Sequence, residues 1–127
     1  MRTVKYFVLA ALTLGVLGGL ATYQAADNEK PKYSIEEIMD KAHKGKNSLF
    51  KKVVSGNANA DQKKDLLGLY EDLAKNKPPK GSQDDWKKRT TAMVSAAKEA
   101  VDGKPGAGPK IAKAASCKAC HDLHREQ

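Results

Sequence analysis

Aromatic side chains make up 6% of this chain of 127 residues: one Trp, four Tyr and two Phe. So few flat faces argue against a base-stacking surface, and the lysines are spread along the chain, so nucleic acid is not an expected partner. There are two cysteines, both within one pentapeptide, so no structural disulfide can span the fold. No stretch alternates apolar and polar residues with period two, which removes strands from the expectation. The chain also has no phosphate-binding glycine loop, nucleophile triad or other catalytic constellation. The paired acids Asp84-Asp85 and Glu36-Glu37 read as helix N-terminal charges instead of acid/base machinery. No enzyme is expected.

Acids are outnumbered by bases, 15 to 23, for a formal charge of +8. Most lysines read as solvated helix faces, while the net field can steer encounter with acidic redox partners or anionic membrane surfaces. One long apolar run exists, over residues 6–20, behind the positive Arg2 and Lys5 and ahead of small residues. It is short against the roughly 20 residues of a membrane span and no basic stop-transfer cluster follows. Residues 1–26 are therefore read as a secretory signal cleaved after Ala21 or Ala26, with an uncleaved anchor as the alternative. The remaining 27–127 make one small domain, too short for a generous core.

The most informative residues are Cys117-Lys118-Ala119-Cys120-His121. Two thiols three residues apart with an imidazole directly behind them form the attachment signature of a c-type haem. Each sulfur can form a thioether with one porphyrin vinyl group, and His121 can then ligate the iron. On a helix the three fall at i, i+3 and i+4 and share one patch. A redox dithiol would expect a preceding strand, and none is indicated. A zinc site with His124 would need four donors from eight consecutive helical residues to surround one ion, which suits tetrahedral geometry poorly. One covalent haem c, with its iron, is the expected cofactor. Haem c is attached outside the cytoplasm in bacteria, so the motif and the export signal support each other; the expected location is periplasmic or otherwise exported.

Helical periodicity organises the rest into four stretches. Ser34 and Glu37 have the form of a capping box and open a helix carrying Ile35, Ile38, Met39, Ala42, Leu49, Phe50, Val53 and Val54, with Gly45 a weak point and an end near Gly56. Asp61 is the candidate cap of a second helix with Leu66, Leu67, Leu69, Tyr70 and Leu73, stopped by Pro78-Pro79. Ser82 and Asp85 begin a third, with Trp86, Thr90, Met93, Val94, Ala97 and Val101 on one stripe and Gly103 at its end. Pro109 suits the start of a fourth, about 110–125, which carries the motif. Four amphipathic helices on short loops fit an all-α antiparallel four-helix bundle.

With helices in that order, Cys117-Lys118-Ala119-Cys120-His121-Asp122, and Arg125 four residues past the histidine, resemble the final helix of the class II c-type cytochromes, the cytochrome c′ family. The likeness is specific there and architectural over 34–127. It implies a bundle with haem on its C-terminal helix, one haem edge against helix one, and Arg125 near a propionate. Members with a methionine in the sixth iron position carry electrons; those with a non-ligating apolar residue bind nitric oxide or carbon monoxide. Helix one here offers Met39 and His43, at i and i+4, so the distal ligand is Met39, His43 or neither. A mono-haem electron carrier is the first expectation and a gas-binding module the alternative. Homodimers are common in the family, and Leu69, Tyr70 or Leu73 could supply such a face or lie inside. His124 reads as solvent-facing, and Trp86 and Tyr70 as packing residues.

Overall fold

The computed structural model describes residues 29–126, so the leader expected over 1–26 lies outside them. The described residues are all-helical and contain no strand. Six helices follow one another: α1 Ile35–His43, α2 Leu49–Val54, α3 Ala60–Lys75, α4 Gln83–Val101, α5 Ala107–Ala114 and α6 Cys117–His124. Two of the four stretches expected from periodicity are thus each divided in two. No helix among the described residues is long and apolar enough to cross a membrane.

The divisions have local causes. Gly45 adopts φ +92°, a left-handed conformation that interrupts α1 and that side-chain-bearing residues avoid. Ser48, itself buried, then accepts from Lys51 N at 3.3 Å and starts α2 afresh. The second interruption falls at Ala115, whose ψ of 38° leaves the helical range, with Ser116 as the cap position of α6. The capping box at Ser34 is present in both directions, Glu37 N to Ser34 Oγ at 3.2 Å and Ser34 N to Glu37 Oε2 at 2.8 Å. For α3 the cap is Asn59, not Asp61. Asn59 and Gln62 form their own reciprocal box at 2.8 and 3.0 Å, which leaves Asp61 as a first-turn charge.

The core joins Ile38 and Ala42 of α1, Val53 of α2, Leu66, Tyr70 and Leu73 of α3, Trp86, Met93 and three alanines of α4, and Ile111 of α5. The largest interface is between α3 and α4, followed by α4 with α5. Ala96, Ala97 and Ala100 keep the second half of α4 thin where it meets other elements. Gly108 permits another close approach, since a Cβ there would lie 2.5 Å from Val54 O, so α5 sits directly on the end of α2. Tyr70 and Leu73 are fully internal and cannot form a dimer face; Leu69 is half-buried. Leu66 has no solvent exposure, so Leu66→Ala should lower unfolding stability by about 3–4 kcal/mol in a denaturant titration.

One tie was not foreseen. The Asp72 carboxylate, 7% exposed, accepts from the backbone N–H groups of Lys32 and Tyr33, both at 2.7 Å. Asn76 Nδ2 donates to Tyr33 O at 3.0 Å, and Lys75 pairs with Glu29 at 2.9 Å. The segment ahead of α1 is therefore fastened to α3.

Candidate functional site

The motif occupies the first turns of α6. Cys117 is exposed, Cys120 half-buried, and the two are not joined in a disulfide. Desolvation raises the Cys120 thiol above its usual range, opposed by Arg89 and reinforced by Asp85 and Cys117. It is thus held as the neutral thiol. His121 is exposed at the surface of the helix. On the outer face Lys118 and Asp122 pair at 2.7 Å, and Leu123 is 45% exposed, the most open large apolar side chain among the described residues.

The far end of α6 corrects the reading of His124, which is 3% exposed and not solvent-facing. Its Nδ1 lies 2.9 Å from Lys80 O and its Nε2 2.8 Å from Asp85 Oδ2. Both ring nitrogens are thus engaged by the protein. Trp86 meets the imidazole edge-on at 5.3 Å. Gly81 passes beneath; a Cβ there would stand 2.6 Å from Leu123 O and 2.7 Å from His124 Nδ1. The Ser82–Asp85 cap is therefore formed in one direction only. Asp85 N donates to Ser82 Oγ at 3.1 Å, but the Asp85 carboxylate is taken by Arg89 Nε at 2.6 Å and by His124.

Those partners set a pH dependence. The hydrogen bond from Arg89, and next that from His124, hold the Asp85 carboxyl below its ordinary value of 3.8. The unfolded chain therefore takes up this proton at higher pH than the folded one. The contribution is complete above the ordinary carboxyl range and disappears as pH falls through the depressed value. In thermal unfolding the wild-type advantage over Asp85→Asn should be full at neutral pH and shrink below about pH 4.

A second group of rings is assembled from α1, α2 and α3. His43 ends α1 and is half-buried, 4.8 Å from the Phe50 ring and stacked on Tyr70 at 5.8 Å. Its Nε2 lies 3.3 Å from the Tyr70 hydroxyl. Burial pushes the His43 imidazole below its usual range, and the positive charge of nearby His121 pushes it the same way. The Tyr70 phenol is driven far up by burial and, secondarily, by Cys117. Met39, one turn earlier in α1, is half-buried against the core. Arg125 is exposed at the C-cap, its backbone N–H bonded to His121 O at 3.2 Å. Tyr70 and Trp86, at 0% and 2% exposure, pack as expected.

Among the described residues, no three His, Cys, Asp or Glu side chains are grouped to hold a metal ion by themselves. His124 is committed to Lys80 and Asp85, so it is not available as a fourth ligand beside the cysteines. Among the described residues, the buried side-chain nitrogens His43 Nδ1 and Trp86 Nε1 lack a hydrogen-bond partner. Folded interiors leave few such atoms, and each calls for an explanation. One belongs to the ring group of His43, Phe50 and Tyr70, the other to the cluster around His124. Two thiols and a histidine on one helix, with partnerless nitrogens on His43 and Trp86, are a donor set that fits a covalently held haem. Compared with protein-family models, curated proteins and solved structures, the chain matches none.

Proposed function

We propose that this chain is an exported mono-haem c-type cytochrome that carries single electrons between protein partners. A bound haem c would supply the chemistry by cycling its iron between ferrous and ferric states. The protein's part is attachment, orientation and exclusion of water. Cys117 and Cys120 would hold the macrocycle through thioethers, and His121 would provide the proximal nitrogen. The observation that supports this reading is the placing of Cys117, Cys120 and His121 together on one short helix. His43 is a half-buried imidazole whose Nδ1 has no partner among the described residues. We therefore favour His43 over Met39 as distal ligand.

In this reading α1 with α2, α3, α4, and α5 with α6 act as the four arms of an antiparallel bundle, with the haem on the last. A groove of about 630 Å³ is bordered by Lys32, Lys41, Lys64 and Lys75 as well as Asp65 and Asp72, a lining with more bases than acids that supports acidic proteins as the redox partners. Mass spectrometry of the exported product should show the polypeptide plus one haem that survives acid-acetone extraction. Bare polypeptide would remove the proposal. A high-spin wild-type spectrum with rapid carbon monoxide binding would replace electron carriage with gas binding.

A further inference from the structure

We propose that the indole N–H of Trp86 donates a hydrogen bond to a haem propionate and so anchors that edge of the cofactor, an assignment that rests on the haem reading above. Trp86 is 2% exposed and its Nε1 has no partner in the protein. A buried donor left unbonded gives up its hydration without compensation, which a fold seldom accepts without use. Indole N–H is a donor only, so its partner must be an acceptor. The propionates are the carboxylate acceptors that a haem carries, on a macrocycle that is otherwise largely apolar.

The position agrees with this. The Trp86 ring stands edge-on to His124, three residues beyond His121 on the same helix. Its neighbours Asp85 and Arg89 are close enough to Cys120 to act on that thiol. Trp86 thus lies beside the helix that would hold the ring. The charge balance there also admits an anion. Asp85 is the carboxylate adjoining Trp86, and its Oδ2 already carries Arg89 Nε at 2.6 Å and His124 Nε2 at 2.8 Å. The Arg89 guanidinium is thus joined by Arg125, the next residue after His124, as positive charge on this side.

Because the chain has a single Trp, its indole can be read without ambiguity. In the haem-loaded protein, the ultraviolet resonance Raman band that reports indole N–H bonding should sit at its hydrogen-bonded position. Trp86→Phe should lower the midpoint reduction potential. Without the donor, the propionate charge is less offset and favours the ferric state. Met93→Leu, an equally buried change in α4, should leave the potential unchanged, which separates the bond from general core packing. An unbonded indole band, or a Trp86→Phe potential equal to wild type, overturns the inference while haem attachment stands. An exported chain without haem overturns both.

Discussion

Replacing Gly81 with alanine should release the C-terminal helix while leaving the central pair of helices intact. Two independent effects act in the same direction. Gly81 sits at φ +84°, where a Cβ adds strain of about 1–2 kcal/mol. The same Cβ would be driven to 2.6 Å from Leu123 O and 2.7 Å from His124 Nδ1, and backbone there can move only by breaking the bonds that His124 makes to Lys80 and Asp85. Losing that buried bonding brings the total to about 2–4 kcal/mol. Amide hydrogen exchange should therefore speed up across α6 and change little across α3 and α4. Unchanged protection of α6 would show that His124 does not fasten it.

The second large effect tests the proposed haem site. If haem is held there with His43 as its second ligand, His43→Ala should convert a low-spin ferric spectrum to high-spin and open the ferrous form to carbon monoxide, because that nitrogen is gone. Met39→Ala should leave the spectrum in place and cost about 1–2 kcal/mol of stability, as expected for a half-buried core methionine. The reverse pattern would make Met39 the ligand, and unchanged spectra in both variants would exclude each of them. Tyr70→Phe refines the comparison, since it removes the hydroxyl beside His43 Nε2 while retaining the stacked ring.

What the sequence made legible divides along local and distant interactions. The all-helical class, the box at Ser34, the stop after Lys75 and the burial of Trp86, Tyr70 and Leu66 follow from spacing and from residues three or four apart. The two interruptions were also written locally, though less audibly. Gly45 followed by Ser48, and Ser116 directly before Cys117, are breaker and cap signals that the continuous apolar stripe outweighed. The Asn59–Gln62 spacing competed with Asp61 for the cap and won because it satisfies donors in both directions. His124 could not be read this way. Its partners are Lys80 and Asp85, 44 and 39 residues away, and nothing in the local pattern distinguishes it from a surface histidine. The site shows the same division. Cys117, Cys120 and His121 are adjacent in sequence, whereas the choice between Met39 and His43 depends on how α1 meets α6.

The Asp72 clamp has a consequence for where this folding unit begins. A fragment cut at the start of the first helix would lose the two amide donors at Lys32 and Tyr33 and strand a carboxylate in the interior. The smallest version that folds well should therefore keep the non-helical residues from about Glu29 onward. Any tag or fused partner belongs upstream of them, since this non-helical strip is held by a side chain some 40 positions later.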